Sequence, residues 1–334
     1  MQTKKPNRSN LTYTITAKAF CSSLEKALTN PPDVDKSIIR LRRILSGLPD
    51  KQLYISDQKS KVTFRIDDNG KLKYMSKKSI TTHLLARRRY LLLLIEILNL
   101  CKSDKPGDIK RRKYMVIKLF KIIDAFERGN LDIAKIVLTS KQYKWYRGQF
   151  MQKRLDHKDA VATSCGLNVR SKSERDIANA YESLAVPFHY EEQTQIYVHD
   201  LVMQLEEKLK RENRLRGPVY SFRGNGVHWN VPPELEWMNA PGSIWKSYYP
   251  PTGKITIHND FKIMLANDEI VIWEHEGLIE DFVYRCNASE RAAIMKLTGS
   301  ISKGNLIETY ESEVDSPEKI YAIIEEHILP RLWF

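Results

Sequence analysis

The chain has 334 residues, 42% of them hydrophobic, and a formal net charge of +13. That size and apolar content exclude a disordered chain and allow two domains, each with its own core. The first ten residues carry no apolar signal segment, and the longest apolar run, Leu91–Leu100, is broken by Glu96 and Asn99 and is too short for a membrane span. The four cysteines, Cys21, Cys101, Cys165 and Cys286, have neither metal-finger nor disulfide spacing, so a soluble, cytoplasmic protein with no membrane partner is expected.

The charge is unevenly spread. Residues 1–150 hold 33 Lys and Arg against 13 Asp and Glu, whereas residues 151–334 hold 21 against 28. An excess of that size points to contact with a polyanion, and DNA is favoured over RNA only weakly, because charge does not tell them apart. Periodicity predicts helices over Leu11–Asn30 and Asp35–Leu48. Two alternating runs, Lys61–Ile66 and Lys71–Met75, flank Asp67-Asp68-Asn69-Gly70 and predict a hairpin. Helices are expected over Thr81–Cys101, Lys110–Arg128 and Asn130–Lys141. The first carries Arg87, Arg88 and Arg89 and the second opens with Lys110, Arg111, Arg112 and Lys113, the candidate nucleic-acid contacts. The polar stretch from Lys153 to Asn168 marks the expected boundary between a basic helical domain, 1–155, and a second domain, 165–334.

In the second half, Ser173 is placed as the cap of a helix whose apolar face is Ile177, Ala178, Tyr181 and Leu184, with Glu174 in its first turn. A strand Phe188–Glu192, a charged helix Thr194–Arg216 and an irregular stretch Gly217–Pro251 follow. Lys254–Leu265 and Glu269–His275 read as strands joined by Ala266-Asn267-Asp268. As a hairpin they bring Asp260 near Glu274, an oxygen-ligand site for a hard divalent cation; a salt bridge of Asp260 to Lys262 or Arg291 is the structural alternative. Glu276 shares a strand face with Glu274 and either joins the metal's shell or lies past the strand in solvent. His275 points the other way, a packed histidine, and His258 is a weak candidate base.

The pattern resembles the PD-(D/E)-x-K nuclease superfamily, and within it a group of bacterial proteins with an Arg-Ser-Lys-Ser-Glu helix entry. That entry is Arg170-Ser171-Lys172-Ser173-Glu174 here, followed by Ile177-Ala178-Asn179 and Pro187-Phe188-His189-Tyr190-Glu191. The matches continue at Asp260-Phe261, Trp273-Glu274-His275, Gly277, Tyr284 and Asn305-Leu306-Ile307. In the front half they include Tyr74-Met75-Ser76-Lys77-Lys78 and Ala86-Arg87-Arg88-Arg89-Tyr90. Their order along most of the chain, rather than any one motif, carries the resemblance.

The resemblance implies an α+β fold: a helical basic domain with a β-hairpin, then a restriction-endonuclease-like core with a central mixed sheet. It implies an Mg²⁺- or Mn²⁺-dependent endonuclease in which Glu174, Asp260 and Glu274 hold metal, with Tyr284 nearby, acting in defence against foreign DNA or in a mobile element. A homodimer, or partner proteins of such a system, is the implied assembly. Two departures stand out. Asn259 replaces the motif proline, and Glu276 occupies the motif lysine position. Arg291 and Lys296 on the following helix, and then Lys262, are the candidate substitutes. The alternative is a non-catalytic nucleic-acid-binding protein that keeps the nuclease fold.

Overall fold

A computed structural model of the chain describes residues 14–58, 61–148, 160–223, 226–231, 233, 239, 254–277, 282–297 and 304–334. The chain is α+β, with helices and a mixed sheet, and among the described residues no helix is long and apolar enough to cross a membrane. It forms two compact units: Met1–Phe188 with Met264–Glu269 and Ser316–Phe334, and His189–Ile263 with Ile270–Asp315.

The first unit opens with α1 (Ala17–Ala27), capped by Thr16, and α2 (Val34–Ser46), capped by Asp33. A three-stranded antiparallel sheet follows: β1 (Leu53–Gln58), β2 (Lys61–Asp68) and β3 (Lys71–Met75), in the order β1-β2-β3. The hairpin falls where the sequence placed it. Asn69 and Gly70 have φ of 57° and 79°, the two positive values a two-residue primed turn demands. Strand β1 was not expected; only Leu53 in it is fully buried, so its alternation is faint.

Helices α3 (Ile80–Leu100) and α4 (Pro106–Arg128) pack as a pair. The single helix expected over Asn130–Lys141 is instead α5 (Ile133–Val137) and α6 (Ser140–Arg147). Leu138 is extended between them, and Thr139 with Gln142 forms a capping box that restarts the helix. After the short strands β4 (Val161–Ala162) and β5 (Asn168–Val169) comes α7 (Lys172–Ser183). Its cap is Ser171, not Ser173, because the capping box needs its acid three residues on, at Glu174.

The core of this unit joins its two chain ends. Phe20 meets Tyr90 and Trp333 edge to face, with ring centroids 5.9 and 4.9 Å away, and the Trp333 indole N–H donates to Ser23 at 2.8 Å. The compact units therefore divide elsewhere than the charge does. Compactness follows packing, and α7 packs on the C-terminal helix α10 (Pro317–His327), where the Ser183 and Tyr321 hydroxyls lie 2.8 Å apart.

The second unit is built on the sheet β11-β10-β9-β6, with β6 (His189–Tyr197), β9 (Lys254–Met264), β10 (Ile270–Glu276) and β11 (Leu306–Tyr310). Strands β6 and β9 are antiparallel and β10 and β11 parallel; the parallel pair needs a crossover, supplied by α9 (Phe282–Leu297). The helix expected from Thr194 starts later, as α8 (Val198–Arg211), because Thr194–Tyr197 stay paired to β9. A separate hairpin, β7 (Tyr220–Arg223) with β8 (Gly226–Trp229), completes the unit. One sheet face carries Ile196, Ile255, Ile257 and Ile272 against Leu205 of α8 and Ile294 and Met295 of α9. Further along the same strands this apolar row gives way to Asn259 and Glu274.

Candidate functional site

Asp260 on β9 and Glu274 on β10 lie on neighbouring strands and are 5% and 3% exposed. The Asp260 Oδ2 atom accepts the backbone N–H of His275 at 2.8 Å, which puts its carboxylate beside the residue next to Glu274. Asn259 fixes Glu274 from the other side. Its Nδ2 donates to Glu274 Oε1 at 2.8 Å, and its Oδ1 accepts the Thr194 hydroxyl at 2.8 Å. The residue that departs from the proline motif is thus the one that orients the acid. Burial, and then the neighbouring Asp260, push the Glu274 carboxyl well above the usual carboxylate range, against the Asn259 bond and Arg291.

Glu276 does not lie past the strand in solvent. It is the last residue of β10, in register with Tyr310, and buried. Its Oε1 is 3.6 Å from Arg291 Nη2, and its buried Oε2 has no hydrogen-bond partner. Arg291 thus answers the charge of this carboxylate, and Oε2 is left as an unmatched buried acceptor. His275 is the packed histidine expected, its Nε2 3.0 Å from Glu311 and its Nδ1 3.4 Å from Thr309. His258 is exposed.

The candidate cations separate clearly. Lys296 is exposed and pairs with Glu308 at 3.1 Å. Arg291 stands at Glu276, and Lys262, 8% exposed, lies 3.7 Å from Glu192 and within the field of Glu274. Burial lowers the Lys262 pKa, with Glu192 and Glu274 opposing. The order expected from the sequence, with the helix cations ahead of Lys262, is therefore changed: Lys262 joins Arg291, and Lys296 drops back.

Glu192 was not anticipated. Burial raises its carboxyl, but the 2.6 Å bond to His189 Nδ1 and the charge of Lys262 outweigh this and hold it below its usual range. Nor was Glu191, buried and at φ 50° within β6, between the registered pairs Tyr190↔Phe261 and Glu192↔Asn259. A non-glycine residue held there costs of order 1–3 kcal/mol, a strain that concentrates at functional sites. Its only sequence signal was its place at the end of the Pro187–Glu191 motif.

Glu174 belongs to the first unit, where its carboxylate accepts the N–H groups of Arg170 and Ser171 at 2.9 and 3.3 Å. Tyr284 falls on α9, its side chain outside the described residues. Among the described residues, no group of three His, Cys, Asp or Glu side chains is gathered for a metal ion, so the site rests on the acid pair.

The arginines of α3 are mostly structural. Arg87 is 7% exposed, and burial lowers its pKa, as it does that of Arg89. Arg89 donates to the Leu53 carbonyl, and Arg88 pairs with Asp50. On α4 the cluster divides: Arg111 pairs with Glu96 at 2.7 Å and Arg112 sits by Cys101, while Lys110 and Lys113 are exposed without an ion pair among the described residues. Compared with family models, curated proteins and solved structures, the chain matches none.

Proposed function

We propose that the chain is a metal-dependent phosphodiesterase acting on nucleic acid, DNA before RNA, with a restriction-endonuclease-like core in its second unit. The observation that carries the reading is the buried pair Asp260 and Glu274 on neighbouring strands, near enough for Asp260 to raise the Glu274 carboxyl, with Asp260 accepting the His275 N–H and Glu274 the Asn259 amide. Two like charges in a core are costly unless neutralised, and Mg²⁺ or Mn²⁺ takes such hard oxygen donors with one or two carboxylates.

The residues present fit the ion. Asp260 and Glu274 would hold it, and the unpartnered Glu276 Oε2 offers an acceptor to a water in its shell. Such an ion supplies Lewis acidity toward a phosphoryl oxygen and lowers the pKa of a bound water. Lys262 and Arg291 bring positive charge to the same cluster, Lys262 for the attacking water or the phosphate and Arg291 for transition-state charge alone, since it cannot give up its proton. Glu174 and Tyr284 have roles by resemblance only, as do defence against foreign DNA, a mobile-element context, and a homodimeric or multi-protein assembly.

A second reading, a binding protein without turnover, draws on Glu276 at the motif lysine position. The test is cleavage of plasmid, single-stranded DNA and RNA with Mg²⁺, with Mn²⁺ and with chelator. Metal-dependent cleavage of DNA is expected. Binding without cleavage under all metal conditions selects the second reading and removes the first.

A further inference from the structure

The outer face of the three-stranded sheet in the first unit is the second place where the structure spends free energy without return inside the chain. Pairing fixes its rows. Tyr54 of β1 faces Arg65 of β2, and Arg65 faces Tyr74 of β3, giving one cross-strand row of tyrosine, arginine, tyrosine. On the row beside it, Leu72 faces Asp67; on the other side, Thr63 faces Ser56. The opposite face holds Leu53 and Phe64, both fully buried, so the sheet rests on that side and turns the tyrosine-arginine row outward.

Tyr74 is 65% and Leu72 54% exposed, large apolar side chains on the edge strand of a sheet. Large apolar side chains exposed side by side on an edge strand mark a candidate contact surface, even where lysines guard the edge as Lys71 and Lys73 do here. Here the charge surrounds the apolar centre. Arg65 is exposed at its middle and Lys61 on the same face at the start of β2. Lys77 and Lys78 lie just past β3 and are exposed, and Asp67, opposite Leu72, is the one acid of the face's described rows. Apolar and hydrogen-bonding groups in the centre with cations around them match a DNA groove, with its base edges in the middle and a phosphate rail on each side. The dimensions agree. Three strands spaced about 4.8 Å apart are about 10 Å across, and the major groove is about 12 Å wide.

We propose that this face docks in the major groove of duplex DNA, with Arg65 addressing a base edge, Tyr54, Tyr74 and Leu72 making apolar contact, and the marginal lysines on phosphates. The proposal rests on the nucleic-acid half of the functional reading and is independent of the metal. It also moves the contact surface from the arginines of α3, of which Arg87 is buried and Arg88 and Arg89 are bonded to Asp50 and the Leu53 carbonyl, to the hairpin strands and β1.

Binding of the full chain to a mixed-sequence duplex, followed by fluorescence anisotropy in chelator, tests it apart from cleavage. Combining Arg65→Ala with Tyr74→Ala should weaken duplex binding about tenfold or more, the order expected for losing one bidentate base contact. Both positions are exposed, and an unchanged thermal melt is the control for folding. Arg65→Lys keeps the charge but loses the planar fork, and should weaken binding with an unchanged salt slope. Wild-type affinity in the folded double variant overturns the proposal. Tighter binding of a single strand than of the duplex also overturns it, in favour of base stacking. If the variants lose binding and no condition gives cleavage, the nuclease reading falls and this one stands.

Discussion

Lys113 and Lys262 are the same residue type under opposite conditions. Lys113 stands exposed on α4 of the first unit, where water screens its charge. Lys262 is buried on β9 of the second unit, between Glu192 and Glu274, with burial lowering its pKa. The first kind of charge contributes little to folding and sums with its neighbours into a long-range field. The second kind is costly to keep, responds to each neighbouring group, and is poised for chemistry. In the proposed function these uses are separate: the screened charges of the first unit would attract a polyanion, and the buried ones of the second would act on it.

Removing an acid breaks the comparison most directly. Asp260→Asn or Glu274→Gln should bring metal-dependent cleavage to background while the fold persists, since an amide of the same shape relieves like-charge repulsion. Retained cleavage in either variant takes that residue out of the site. Next in size, Lys262→Ala should slow single-turnover cleavage about a hundredfold, the scale of losing one preorganised electrostatic group. Lys296→Ala should leave the rate near wild type, because its partner is Glu308 on the surface. The reverse order would restore the helix cations to first place.

The raised Glu274 gives a pH dependence with a definite sign. Its folded pKa lies above its unfolded one, so the protonated form is the one the fold prefers. Stability from this group is fully present below the ordinary glutamate range and is lost as pH rises through the folded value. The metal-free protein should therefore melt at lower temperature as pH rises out of the acid range, and Glu274→Gln should flatten that trend. Added Mg²⁺ competes with the proton, so its stabilising shift should grow with pH. A metal shift independent of pH, or equal in wild type and Glu274→Gln, would place the ion elsewhere. Lys262 acts in the opposite direction: its folded pKa lies below the unfolded one, so the cost of its buried charge is present at low pH and is relieved as pH rises from the folded value to the ordinary lysine value.

Within the first unit, Gly129 gives a packing test that leaves charge untouched. A Cβ there would lie 2.4 Å from the Phe64 ring, which is fully buried and cannot swing aside. Gly129→Ala should cost about 1–3 kcal/mol in denaturant unfolding, the usual range for overpacking. An unchanged midpoint would mean that β2 does not rest on the end of α4.

What could be read in advance follows from how local its cause is. The Asn69-Gly70 turn, the apolar face of α7 and the β9 and β10 strands were legible, because turn chemistry and periodicity act within a few residues. The pairing of Asp260 with Glu274 was legible for the same reason, a short turn between two strands. Asn259 was seen only as a departure from a motif; its bond to Glu274 depends on strand register. Glu191 and Glu192 were hidden because their importance comes from β6 pairing with β9 across more than sixty residues of chain. The arginines of α3 misled for the opposite reason. A run of like charge looks like surface, yet Arg87 is buried and Arg89, half-buried, donates to the Leu53 carbonyl.

The smallest effect sharpens that last point. If exposed lysines hold phosphates, each one neutralises a single backbone charge and releases the counterions condensed on it. Lys110→Ala or Lys113→Ala should then weaken duplex binding modestly, equally for all sequences, and lower the slope of log affinity against log salt by about 0.9 each. Arg111→Ala should change the slope less, since Glu96 already answers its charge. Arg87→Ala should leave the slope unchanged and lower the melting temperature, because that side chain faces the interior beside Tyr90. A slope that falls with Arg87 but not with Lys113 would mean that α3, not α4, lies along the DNA, and the division between screened and buried charge would no longer separate binding from folding in the first unit.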